Sequence, residues 1–205
     1  MAEIIDYNAL SAALSSRRFL PEVYDTAEEA KEAVLRIIGG KSVGIGGSAT
    51  VRDMKLAEAL QANGNEVAWH WLVPKEAKKA ARDEALKTDV YLCSTNALTT
   101  DGRLVNIDGT GNRIAGSLYG HRKVYFVISR NKICSTLEEA AYRARNVAAP
   151  MNAERHKYNT PCAVKMDRCY DCQSPQRICS AQVIYWRKMN HTDMEVVLID
   201  EDMGY

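Results

Sequence analysis

The sequence predicts an α/β protein: a Rossmann-like, mainly parallel sheet with flanking helices, plus a small cysteine-rich C-terminal extension with strands. Three observations predict it. Short apolar runs alternate with stretches of helical periodicity between residues 42 and 148, one of those runs enters a helix through Gly46-Gly47-Ser48, and four cysteines lie close together between residues 162 and 179. Alternation of this kind favours parallel strands, because each crossover helix returns the chain to the same end of the sheet.

Residues 7–18 place Leu10, Ala13 and Leu14 at helical spacing. Thr26 with Glu29 three residues later has the form of a capping box, opening a helix through Ala30, Val34 and Ile37 that Gly39-Gly40 stops. Residues 42–45 read as a strand. The glycine loop follows, then a helical pattern through Met54, Leu56, Ala57 and Leu60 that ends near Asn63-Gly64. Residues 66–72 read as a strand, 75–87 as a charged, alanine-rich helix and 89–94 as a further strand. Asp101-Gly102 between apolar segments predicts a two-residue hairpin turn, and so one antiparallel excursion. A polar loop over 106–113 leads to a short helix over 113–119, a buried strand over 123–128 and a helix over 137–148, with Pro150 closing the body. Two last strands are expected over 182–186 and 195–199, separated by Asn190-His191-Thr192-Asp193. We expect residues 1–150 to form the α/β body and 151–205 a cysteine-rich segment that completes the same domain.

A chain of 205 residues is long enough for one core and a small appendage. The 27 basic side chains nearly balance the 26 acidic ones, and no basic run exceeds Lys78-Lys79 and Arg122-Lys123, so the footprint of a nucleic-acid binder is missing. Glu3 and Asp6 replace the basic stretch of a signal peptide, and no apolar run approaches the ~18 residues of a membrane span. A cytoplasmic protein without a membrane span is expected. In that compartment six cysteines read as thiols or metal ligands rather than as a disulfide framework.

A strand that feeds through Gly46-Gly47-Ser48 into a helix brings unpaired N–H groups to the carboxyl edge of the sheet, where an anion fits. Ser48 and Thr50 add hydroxyls. A short glycine turn also serves purely steric ends. The spacing of Gly44, Gly46 and Gly47 matches neither a dinucleotide fingerprint nor a phosphate loop ending in Gly-Lys-Ser/Thr. In the second loop Asp108 is a candidate acid/base group, with Asn112 and Arg113 beside it and Arg113 able to grip a carboxylate with two prongs. The alternative is a turn in which Asp108 and Asn112 bond their own backbone. Asn131-Lys132 follows a buried strand and puts a lysine at the same sheet edge.

Cys162, Cys169, Cys172 and Cys179 are spaced C-x6-C-x2-C-x6-C, while Cys93 and Cys134 stand apart. Four soft thiolates suit zinc or an iron–sulfur cluster, although the spacing matches neither paired zinc knuckles nor the compact ferredoxin run. Redox-active thiols and disulfides are the other readings, and Lys165, Arg168 and Arg177 favour thiolate in any of them. His156, between Arg155 and Lys157, reads as a solvated helix residue, and Tyr158, Tyr170 and Trp186 as packing aromatics.

Several stretches together resemble one family. They are Val43-Gly44-Ile45-Gly46-Gly47-Ser48-Ala49-Thr50, Asn106-Ile107-Asp108-Gly109-Thr110-Gly111-Asn112-Arg113 and Ser129-Arg130-Asn131-Lys132-Ile133 in the body. In the tail they are Asn159-Thr160-Pro161-Cys162, Cys169-Tyr170-Asp171-Cys172, Ser174-Pro175, Arg177-Ile178-Cys179 and Glu201-Asp202-Met203-Gly204-Tyr205. They resemble the LUD domain of lactate-utilization proteins, of the lactate utilization protein C type, formerly a domain of unknown function. The resemblance implies a fold similar to the sugar-phosphate isomerase and CoA-transferase group, with Ser48, Thr50, Asp108 and Lys132 in one pocket, Asp108 as acid/base and Lys132 as its electrostatic partner. It further implies a component of L-lactate oxidation to pyruvate that binds a small carboxylate or phosphorylated ligand and works beside iron–sulfur protein partners. Two other functions fit the same residues: a non-catalytic assembly or redox-partner docking module with a cysteine-bound metal, and a stand-alone isomerase or transferase.

Overall fold

A computed structural model describes residues 5–205, so Glu3 of the N-terminal reading lies outside the described residues. The chain opens with helix α1 (Tyr7–Ser16), capped by the Asp6 carboxylate, which accepts from the Ala9 N–H at 2.9 Å. Strand β1 (Leu20–Tyr24) follows, a strand not foreseen from the sequence. Pro21 and Glu22 argue against a central strand, and β1 is indeed an edge strand, where a missing N–H is tolerated. Helix α2 (Ala27–Ile38) carries the expected capping box from Thr26 to Glu29.

Strand β2 (Val43–Ile45) is completely buried and enters α3 (Ala49–Asp53), where Ser48 is the N-cap. The single helix expected here is two, because Lys55 takes a left-handed conformation (φ 51°) and restarts the chain as α4 (Leu56–Ala62). Strand β3 (Val67–Trp69) is shorter than the expected 66–72. It ends in a turn closed by Leu72 N–H on the Trp69 carbonyl, so His70 and Trp71 leave the sheet. After a 3-10 turn come α5 (Lys78–Ala85) and β4 (Val90–Cys93).

Strands β5 (Ala97–Thr99) and β6 (Leu104–Asp108) form the expected antiparallel excursion. Asp101 and Gly102 lie in a four-residue connection rather than a two-residue turn, and Asn106 to Asp108, read as loop, belong to β6. Next are α6 (Asn112–Leu118), β7 (Lys123–Ser129), a 3-10 turn over Arg130–Lys132 and the short β8 (Ile133–Cys134). Helix α7 (Leu137–Arg143) runs through a π-helical stretch, Ala144–Ala148, into α8 (Ala149–Arg155). Pro150 therefore does not close the body, since it sits in the first turn of α8. Proline has no N–H to donate and its ring crowds the carbonyl one turn back, a strain that the wider π turn accommodates. Helix α9 (Pro161–Lys165), β9 (Ala181–Tyr185) and β10 (Asp193–Ile199) complete the chain.

Six strands form a parallel sheet in the order β1-β10-β7-β4-β2-β3, and a second sheet has the order β8-β5-β6-β9. The last strand in sequence lies inside the main sheet, between β1 and β7, and β9 pairs with β6, so both sheets depend on the C-terminal segment. Alternation along β7 fills both faces. Tyr125 and Val127 join Val43, Ile45, Leu60 and Leu92 under α2 and α4, while Val124, Phe126 and Ile128 join Tyr91, Leu10, Leu14 and Tyr185 on the other side. Burial on both faces is what parallel sheets require. No helix of the described residues is long and apolar enough to cross a membrane.

Gly44 marks the closest approach of helix to sheet, since a Cβ there would lie 2.1 Å from the Ala85 carbonyl oxygen of α5. A main-chain atom cannot swing aside, so Gly44→Ala is expected to cost about 3 kcal/mol by overpacking. Urea unfolding would read this as a lower midpoint at unchanged slope.

Candidate functional site

The carboxyl ends of β2, β3, β4, β6 and β7 converge on a cleft of about 290 Å³. Gly47, Ser48, Asp108, Asn112, Arg113 and Lys132 line it together; of the four residues that the resemblance groups in one pocket, Ser48, Asp108 and Lys132 are among them. Gly46 and Thr50 do not line it. Gly46 continues the pairing of β2 with its N–H on Leu92 O (2.9 Å), and a Cβ there would press on Arg113 Cγ and Tyr91 Oη, both at 3.0 Å. Thr50 is fully buried beneath the loop.

Lys132 is 2% exposed. Its amine donates to Thr50 Oγ1 at 2.5 Å and Ser94 Oγ at 2.8 Å, and among the described residues it forms no ion pair. Burial, with the charges of Arg143 and Arg113 adding to it, brings its pKa down to about 7. It is thus able to exchange a proton near neutrality. The 3-10 turn that carries it is held by Arg143, whose Nε donates to the Asn131 carbonyl (2.8 Å) and whose Nη1 donates to the Asn96 carbonyl (2.5 Å).

Asp108 is used differently. Its Oδ1 accepts from the N–H groups of Thr110 (3.0 Å) and Gly111 (2.8 Å), and its Oδ2 accepts from Ile114 N–H (3.3 Å). This is the backbone-bonding turn, so the carboxylate shapes the loop and the start of α6. Gly111 is left-handed there (φ 87°), and Asn112 gives its carbonyl to the Tyr91 hydroxyl at 3.0 Å. Arg113 lies 3.8 Å from Asp108, and its Nη2 donates to Asn96 Oδ1 (3.0 Å) and the Ile107 carbonyl (2.6 Å). With Nη2 committed to the protein, a two-pronged grip on a ligand carboxylate is not available in this conformation. Ser48 Oγ likewise caps Val51 N–H at 3.2 Å, and α3 is only five residues long, which leaves little helix dipole at the loop.

Sequence reasoning missed the opposite wall, formed by His70, Trp71, Lys78, Arg82, Asn152 and Arg155. The available signal was the spacing of Lys78 and Arg82, four residues apart and hence on one helix face. His70 is buried, and burial together with Arg82, Lys78 and Arg155 lowers its pKa to about 4, leaving it neutral at pH 7. The Arg155 guanidinium lies 4.3 Å from the Trp71 ring centroid and donates to Tyr205 Oη at 2.9 Å, so the last residue also reaches the cleft.

The four clustered cysteines are free and half-buried, and they do not converge. Among the described residues no three or more His, Cys, Asp or Glu side chains are arranged to hold a metal ion. The residues present therefore do not form the ligand set of zinc or an iron–sulfur cluster. Two arginines organise this segment instead. Arg145 donates to Cys169 Sγ (3.3 Å) and pairs with Asp171 (2.7 Å), while Arg177 pairs with Asp171 (3.1 Å) and donates to the Cys172 and Cys179 carbonyls. Arg177 and Ile178 also line the cleft, and a Cβ on Gly109 would lie 2.3 Å from Ile178 O, so the cysteine segment packs directly on the Asp108 loop.

The crystal structure of a DUF162 family protein from Deinococcus radiodurans is similar to this chain at 11% identity, covering 94% of this chain and 95% of that one with a TM-score of 0.51. The likeness is one of fold. Ribose 5 phosphate isomerase A from Neisseria gonorrhoeae matches at 15% identity over 54% of each chain with a TM-score of 0.34, an overlap too partial to carry a shared site. No curated protein matches the sequence. The family model described as the LUD domain matches residues 7–199, nearly the whole of both sheets and every strand end that builds the cleft. The chain belongs to the LUD domain family.

Proposed function

We propose that this protein binds a small anionic ligand, a carboxylate or a phosphorylated compound, in the cleft at the carboxyl edge of the sheet, and that this is its part in L-lactate oxidation to pyruvate. The observation that carries the reading is Lys132, a buried amine with two hydroxyl partners and no carboxylate. A cation in such a place is poorly balanced by neutral dipoles alone, and an anion entering the cleft supplies the missing charge. The family membership supports the lactate context, and the free thiols and arginines of the adjoining segment suit a face toward a protein partner.

In this reading Lys132 is the group that binds and exchanges a proton. Asp108, engaged by three backbone N–H groups, is a positioning residue that fixes Arg113 and the rim. Water is limited around the amine, which is held by Thr50 and Ser94 in a buried position.

Calorimetric titration with L-lactate, pyruvate and sugar phosphates at about pH 8 is expected to give saturable binding for at least one of them. Binding should be accompanied by proton uptake, because an anion beside Lys132 raises a pKa that lies near 7 in the free protein. The uptake is read from the dependence of the heat on buffer ionisation enthalpy, and Lys132→Met should abolish both signals. Absence of binding by all these compounds would sink the proposal.

The depressed pKa also sets a stability profile. An unfolded chain keeps the Lys132 proton up to about pH 10.5, whereas the folded protein releases it above about 7, so the unfolded state binds more protons in between. Stability relative to Lys132→Met should rise as the pH is raised through that window and be level below it. Urea unfolding of both proteins at pH 6.5 and 9.5 measures the difference, and an unchanged or falling difference would contradict the protonation assigned to Lys132.

A further inference from the structure

Lys132 accounts for one end of the cleft and leaves the other unexplained. Lys78 and Arg82 leave the same face of α5, and Arg155 approaches from the last turn of α8. All three line the cleft, and among the described residues none of them is paired with a carboxylate. The Nε of Arg82 is buried without a hydrogen-bond partner, and so is the Nδ1 of His70, a side chain 7% exposed that lies among these cations. A buried guanidinium N–H left unpaired in this way is costly unless an acceptor fills the hollow, and the imidazole nitrogen beside it is likewise unsatisfied.

The acceptor has to match three positive charges, two from α5 and one from α8. A carboxylate offers two oxygens and one charge. A phosphate monoester offers three free oxygens and up to two charges, and a guanidinium recognises it with charge-assisted hydrogen bonds. Arg82 has its Nε unpartnered for this, whereas the Nε and Nη2 of Arg155 already donate to Asn152, Tyr205 and His156, so Arg155 contributes its charge and its Nη1. At about 290 Å³ the cleft is at the small end for ligand pockets, which fits a molecule of a few carbons rather than a nucleotide.

We propose that Lys78, Arg82 and Arg155, together with His70, form a second anion subsite for the phosphate of a small phosphate monoester whose carboxylate or carbonyl end reaches Lys132. The inference rests on the anion-binding reading of the cleft and narrows it, because a ligand that spans both subsites gains from each without a second loss of rigid-body freedom. Trp71, beneath the Arg155 guanidinium and stacked on Trp69 at 5.0 Å, keeps that cation in place.

The test is titration of the full chain with 3-phosphoglycerate, glycerate, inorganic phosphate and L-lactate. The ester is expected to bind at least tenfold more tightly than glycerate or phosphate alone. In a Lys78→Gln, Arg82→Gln double variant with an unaltered melting curve, that advantage should fall below threefold. An ester that binds no better than glycerate, or an advantage that survives in the double variant, overturns the second subsite while leaving anion binding at Lys132 in place. Failure of all four compounds to bind overturns both.

Discussion

The geometry of this protein turns on keeping a lysine amine out of water without a carboxylate to neutralise it. Lys132 reaches under the glycine loop from the end of β7 and is held by one hydroxyl from α3 and one from the end of β4. Three separate strand ends must therefore stay in register for the amine to have any partners. The parallel sheet supplies that register, because β4 pairs with β2 on one side and with β7 on the other. A parallel sheet ends all its strands at one edge, and the loops leaving that edge are where a ligand collects.

The C-terminal residues lock the same edge from outside. Glu201 accepts from the Ala27 N–H, Arg130 donates to Asp202, Ser129 donates to the Met203 carbonyl and the Gly204 N–H reaches Asp53. Gly204 is left-handed (φ 58°), and a Cβ there would lie 2.7 Å from Thr50 Oγ1, the atom that accepts from Lys132. The tail thus passes close to the hydroxyl that positions the amine, with no room there for a side chain, and Tyr205 continues to Asn152 and Arg155 on the far wall. Through this strap the order of the last strand, in the middle of the sheet, becomes a constraint on the cleft.

Much of this was legible in the sequence because it is local. The capping box at Thr26, the strand entering Gly46-Gly47 and the apolar run of β7 carry their signals within a few residues. Gly46, read from the sequence as part of the anion-binding loop, does not line the cleft and leaves room instead for Arg113 and Tyr91. What escaped is not local. Strand β1 holds its place by pairing with β10, some 170 residues on, and its own residues look like a loop. His70 and Trp71 continue an apolar run in sequence and leave it only because the chain turns at Trp69. Arg155 stands between Glu154 and His156 with no local signal of a site, and it reaches the cleft from the end of a helix that follows a π-helical stretch.

The two residues paired as catalytic from the sequence separate once their hydrogen bonds are counted. An ionised carboxylate offers about four acceptor sites, and Asp108 gives three of its hydrogen bonds to backbone N–H groups, with Arg113 close by. Lys132 is in the opposite position, since an ammonium has three protons to donate and two acceptors are in place. The unfilled valence belongs to the lysine, and it is the group whose protonation a ligand can change without disturbing the loops that hold it. In the proposed anion-binding reading the ligand therefore answers to Lys132, with Asp108 as the scaffold that fixes the loop beside it.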